Sequence, residues 1–158
     1  MSLLFKRPEN LMFPKIYYTF KAKDVDCEIL VEYRVQDLPE TYFKEALSLL
    51  SEHFLSCEEL CASHDCWNDV VDVLTHINNQ INPFEIFNVD QYFTAYGLVV
   101  NSKYRGREIV TEMLKARIPI IKAFGLKVTV TIFTGIGSQT AAKKADYDDL
   151  YSFKYIKF

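Results

Sequence analysis

Apolar and polar residues alternate through "CEILVEYRV". Cys27, Ile29, Val31, Tyr33 and Val35 share one face at period two, which predicts a strand. Asp37 then offers a helix N-cap, with Pro39 in the first turn and Glu40 three residues after the cap. Phe43, Ala46, Leu47, Leu50 and Phe54 recur at helical spacing, and Trp67, Val70, Val71, Leu74 and Ile77 predict a second helix. "FTAYGLVV" is apolar almost throughout, as a buried central strand is. It leads through a short loop into a helix with the stripe Ile109, Met113, Ile120 and Phe124. Pro119 should kink that helix and Gly125 should close it. "LKVTVTIF" alternates, Ser138 is placed to cap a short helix over "QTAAKKA", and "LYSFKYIKF" alternates again. Strands and helices that interleave in the C-terminal half predict an α/β fold with helices packed on an open sheet.

Composition narrows the classes. The 158 residues suit one domain, read as an N-terminal extension over 1–25 and a single shortened domain over 26–158. A net charge of −3 gives no electrostatic footprint for nucleic acid. No apolar run approaches ~18 residues, so no membrane partner is expected. "MSLLFKRPEN" lacks the apolar stretch and cleavage site of a secretory signal, which points to a cytoplasmic protein with four reduced cysteines.

Two stretches carry candidate chemistry. Tyr104-Arg105-Gly106-Arg107 precedes a helix, and a helix N-terminus supplies amide donors and a dipole favourable to phosphate. The bland alternative is an amphipathic helix that merely starts with exposed basic residues. "CEELCASHDC" gathers Cys57, Cys61, His64 and Cys66, soft ligands that could hold zinc, but the spacing is not that of a finger or ribbon. Packed or loop thiols are the simpler reading, and no metal site is expected. Glu58 and Glu59 are by themselves a solvated pair of carboxylates.

The stretch "YGLVVNSKYRGREIVTEMLKARIPIIKAFGLK" resembles the acetyl-CoA-binding motif of the GCN5-related N-acetyltransferase (GNAT) superfamily, closest to its insect arylalkylamine N-acetyltransferase-like branch. "YRVQDLPETYFKEALSLLSEHFLSCEELCAS", "NPFEIFNVDQYFTAYG" and "FTGIGSQTAAKKADY" extend the resemblance, in order, over the chain from about residue 28 onward. It implies a mixed central sheet flanked by helices, with acetyl-CoA as cosubstrate and a small amine, an arylalkylamine or polyamine, as acceptor. The implied cofactor positions are Leu98, Val99, Val100, Arg105, Gly106, Arg107, Glu108, Ile109, Val110 and Thr111. Glu58 takes the place of the branch's general base, since an alkyl ammonium must lose a proton before it attacks a thioester. Ser138 is a polar contact near the thiolate, or only a helix cap.

The departures are specific. Glu108 stands where the motif has glycine and Val110 where it has Gly or Ala. A carboxylate about 6 Å from a phosphate, at an effective dielectric near ~20, weakens binding on the order of a hundredfold before screening. The family's A-G-F turn reads Ala145-Asp146-Tyr147. Between residues 72 and 92 there is no room for the family's central strand hairpin, which leaves sheet edges to be paired by the opening strand or by self-association. Two functions follow: an acetyl-CoA-dependent N-acetyltransferase with general-base-assisted direct transfer, or a non-catalytic relative that binds CoA weakly or not at all.

Overall fold

The computed structural model describes residues 7–55, 66–95 and 97–152. Two strands, β1 (Ile16–Lys23) and β2 (Leu30–Gln36), pair antiparallel, with Lys23 opposite Leu30 and Tyr18 opposite Val35. Val31, Tyr33 and Val35 turn inward, as their alternation predicts, while Cys27 and Ile29 fall in the exposed turn before the strand. On β1, Tyr18, Phe20 and Ala22 face the same way, and the Phe20 and Tyr33 rings stack at 5.4 Å. The segment read as an extension therefore contributes a strand, and β2 pairs with it rather than with the apolar run at 93–100.

Asp37 is not a helix cap. Its carboxylate accepts hydrogen bonds from both terminal nitrogens of Arg7 (3.0 and 2.7 Å), the Lys15 amide (2.8 Å) and the Tyr17 hydroxyl (2.9 Å). With its side chain only 13% exposed, Asp37 fastens the N-terminal segment beside β1. The guanidinium of Arg7 also binds the carbonyls of Leu11 and Met12 and lies over the rings of Phe13 and Phe124. Burial pushes the Asp37 carboxyl up, but the donors around it outweigh burial and hold it below the usual range. The helix that Asp37 was expected to start begins later, as a 3-10 turn at Glu40–Tyr42 followed by α1 (Phe43–Leu50) and a π turn at Ser51–Leu55.

Next come α2 (Cys66–Gln80) and α3 (Pro83–Phe87), started by Asn82, whose side chain accepts from the Phe84 amide. The short α3 lies where the family's hairpin would begin. The apolar run that follows is not a strand along its length. Phe93 forms a parallel bridge with Thr129 through two 2.9 Å backbone hydrogen bonds, and Thr131 Oγ1 donates to the Ala95 carbonyl at 2.9 Å. Beyond that point, among the described residues, no backbone hydrogen bond joins 97–100 to 131–133. Among the described residues, backbone pairing between the two segments is confined to the Phe93–Thr129 end.

The long helix divides as its proline requires. α4 (Ile109–Lys115) and α5 (Arg117–Ala123) meet at Ala116, because Pro119 has no N–H and its ring crowds the carbonyl of Lys115. Gly125, at φ +70°, closes α5 with the Leu126 amide on Ile121 and its own amide on Lys122, the two bonds of a Schellman cap. α6 (Ile136–Lys144) ends the same way, with Asp146 at φ +59° and the Tyr147 amide on Ala142. Asp146, where the family's A-G-F turn has glycine, thus stands in a left-handed backbone that glycine adopts freely.

The core sits between α4 and α6. Leu114 is 1% exposed and packs with Ala141 and Ala142, and Leu98, Val110, Phe133, Ala145 and Tyr147 close around them. Tyr147 meets Phe133 edge-on at 5.7 Å. On the other side of α4, the Tyr18 hydroxyl donates to Glu112 at 2.8 Å and ties the helix to β1.

Candidate active site

The loop before α4 is built in two steps. Asn101 accepts from the Lys103 amide and starts a 3-10 turn at Ser102–Tyr104, and Gly106 then takes φ +75°. Open space lies where a Cβ at Gly106 would sit, so glycine is needed there for its backbone, and the opening beside it stays free for a ligand. Glu108, the residue before α4, also adopts a left-handed backbone at φ +60° and ψ 10°. Only glycine enters this region freely; other L-residues lose roughly 1 kcal/mol or more there. Glu108 thus stands, in place of the motif's glycine, in a conformation that favours glycine.

A cleft of roughly 180 Å³ opens at this loop. On one side it is lined by Val100, Tyr104, Arg105, Gly106, Glu108 and the first turn of α4, and on the other by Gly137, Thr140, Ala141 and Lys144 of α6. The residues of α6 recur every three or four positions, so they form one face of that helix. That spacing was legible in "GSQTAAKK", although reading Ser138 as the start of the helix hid it.

Of the residues predicted for the cofactor, Val100, Arg105, Gly106, Glu108, Ile109, Val110 and Thr111 come together at this cleft. Leu98 instead packs on the α4–α6 core, and Val99 is half-buried outside the lining. Arg107 is drawn away: its guanidinium donates to the carbonyls of Val25 (2.8 Å) and Lys23 (3.4 Å) and anchors the loop to the β1–β2 turn. Arg105 folds back, with Nε donating to the Val100 carbonyl at 3.2 Å. The bulk of Val110 is taken up by the core rather than by the cleft alone.

Ser138 lies within α6 and caps nothing. Its hydroxyl donates to the Gly135 carbonyl at 2.8 Å, and Gly135 is the N-cap. Glu58 lies outside the described residues, as do Cys57, Cys61 and His64. Among the described residues no group of three or more metal-ligating side chains occurs.

Within the cleft, Glu108 and Lys144 pair with each other. Lys144 Nζ donates to Glu108 Oε1 at 2.6 Å, and Thr111 Oγ1 donates to Glu108 Oε2 at 3.1 Å. The bond from Lys144, followed by that from Thr111, holds the Glu108 carboxyl below its usual range. Thr111, buried and proposed as a phosphate contact, is thus engaged with Glu108.

A loop that turns through Gly106 into the first turn of α4 brings to the cleft amides with no intrahelical acceptor, the kind of donor that phosphate oxygens accept from. A search of solved structures finds the crystal structure of an insect protein assigned as arylalkylamine N-acetyltransferase 7, from the yellow fever mosquito Aedes aegypti. It aligns with a TM-score of 0.78 and 31% identity, over 90% of this chain and 84% of that one. No family model and no curated protein matches the chain. The chain belongs to the GNAT superfamily, in the insect arylalkylamine N-acetyltransferase-like branch, and has the α/β fold of that family. No helix among the described residues is long and apolar enough to cross a membrane.

Proposed function

We propose that the protein is an acetyl-CoA-dependent N-acetyltransferase for a small amine of the arylalkylamine or polyamine class. The observation that carries this reading is the absence of backbone pairing beside the Gly106 loop. Phe93 and Thr129 are bridged, yet residues 97–100 and 131–133 are not, so the peptide groups at 98 and 99 are left to face a ligand, while the Val100 carbonyl takes the Arg105 guanidinium. An unpaired peptide edge accepts an amide-containing arm such as pantetheine by strand-like hydrogen bonding. Gly106, the first-turn amides of α4, Arg105 and Lys144 suit a diphosphate at the mouth of the slot, and Glu108 is the one group there of the wrong sign. The residues fit the cofactor once that carboxylate turns outward.

When bound, acetyl-CoA supplies a thioester whose acyl carbon accepts the amine. The chain's part is to hold the diphosphate on the loop, align the arm along Leu98, Val99 and Val100, and take a proton from the ammonium. Glu58 is the proposed base. Ser138 is proposed as a polar contact near the thiolate, which requires its hydroxyl to leave the Gly135 carbonyl.

One observation favours the second reading, that of a non-catalytic relative. The cleft keeps the glycine-like backbone at residue 108 but fills it with a carboxylate already paired to Lys144 and Thr111. A thiol-release assay over a panel of aryl and alkyl amines separates the two. Turnover that is lost in Glu58→Gln supports the enzyme, and CoA binding without release of thiol from any amine supports the relative.

A further inference from the structure

Glu108 and Lys144 are 36 positions apart and belong to opposite walls of one cleft. The Lys144 amine meets a carboxylate held on the loop side, with the Thr111 hydroxyl on its other oxygen. A cation and a hydroxyl that converge on one anionic group from both walls form the donor set a phosphate would use. Here the anion comes from the chain itself, at the position where its family has glycine.

We infer that Glu108 is a built-in stand-in for the cofactor's diphosphate and that Lys144 is a phosphate-binding residue, released only when Glu108 swings out. This deepens the function proposed above and rests on its cofactor site. The latch is weak by construction. The Glu108 side chain is 58% exposed and that of Lys144 53% exposed, so the pair lies in water, where an ion pair contributes little. Rotation of Glu108 about its side-chain torsions carries the carboxylate into solvent without moving α4. The Lys144 ammonium has three donors, but a diphosphate brought to it beside Glu108 would face a carboxylate of like charge. Binding therefore favours exchange of one partner for the other, and the affinity of the site is set by the difference between them.

The exchange has a signature that simple repulsion lacks. Removing the Glu108 charge abolishes both the repulsion and the competition for Lys144. Removing Lys144 costs a phosphate contact, but in the native chain it also removes a pair that must otherwise be broken. Titration calorimetry of CoA into the native chain, Glu108→Gln, Lys144→Gln and the double variant tests this, with melting curves to confirm that each is folded. Glu108→Gln retains the backbone conformation and removes only the charge.

Glu108→Gln should tighten CoA at least tenfold. Lys144→Gln should weaken it less than threefold in the native background and at least tenfold in the Glu108→Gln background. Dephospho-CoA should give the same pattern, because the diphosphate rather than the 3′-phosphate is the group exchanged. Equal losses from Lys144→Gln in both backgrounds, an affinity unmoved by Glu108→Gln, or a gain that vanishes with dephospho-CoA would each overturn the inference and leave the cofactor reading standing. Failure of all four folded chains to bind CoA would overturn both.

Discussion

Leu114→Ala is the sharpest perturbation of the scaffold that forms the cleft. Leu114 is 1% exposed and fills the space between α4 and α6, against Ala141 and Ala142. Truncation of a buried leucine costs about 2–5 kcal/mol, and the cost grows with the cavity that remains. The methyl groups of Ala141 and Ala142 are too short to fill that cavity, so the upper half of the range, roughly 4 kcal/mol, is expected. A domain of this size loses about 2–4 °C in Tm per kcal/mol, which predicts a fall on the order of 8–16 °C. Against a total stability of ~5–15 kcal/mol this is a large fraction. Urea titration with matched melting curves measures it. Ile118→Ala is the control, because Ile118 on α5 is 45% exposed and should lose under about 1 kcal/mol. The folded Leu114→Ala protein should also bind CoA more weakly, since α4 and α6 supply opposite walls. A cost below about 1 kcal/mol, or one equal to that of Ile118→Ala, would show that the α4–α6 contact does not hold the fold.

Three further outcomes are expected. Glu108→Gly should tighten CoA by at least the gain of Glu108→Gln, with no loss of Tm, because it also relieves the left-handed backbone; weaker binding in a folded variant would refute this account of residue 108. Asp146→Gly should stabilise the protein by up to about 1 kcal/mol by restoring glycine at a left-handed cap, and a lower urea midpoint would refute that reasoning. The depressed folded pKa of Asp37 makes its contribution to stability complete above the unfolded value of ~3.9 and lost as pH falls through the folded one. Asp37→Asn should therefore lower stability at neutral pH and flatten its fall in acid; parallel acid limbs for the two proteins would contradict this.

The elements that were legible in the sequence are those fixed by neighbours along the chain. Pro119 and Gly125 act within a turn of themselves, and the inward face of β2 shows in its own alternation. The start of α4 is marked by the Arg-Gly-Arg loop. What escaped depends on distant partners. Asp37 before a proline reads as a cap, and nothing local reveals that Arg7, 30 residues earlier, claims it. β1 escaped because Tyr17, Tyr18 and Phe20 blur its alternation, and only pairing with β2 makes it a strand. "FTAYGLVV" has the composition of a central strand, but a strand needs a partner along its whole length, and here pairing ends near Ala95. In the site, the motif exposed the loop but not Lys144, whose approach depends on how α6 packs against α4. Both positions where the family has glycine and this chain an acid, 108 and 146, have left-handed backbones, which nothing in the local sequence reveals.

Whether this cleft binds CoA is decided by calorimetric titration of CoA into the native chain. Saturable heat is predicted, with a Tm that rises with ligand concentration, since a ligand that binds only the folded state stabilises it. Absence of both heat and any Tm shift at millimolar CoA would contradict the claim.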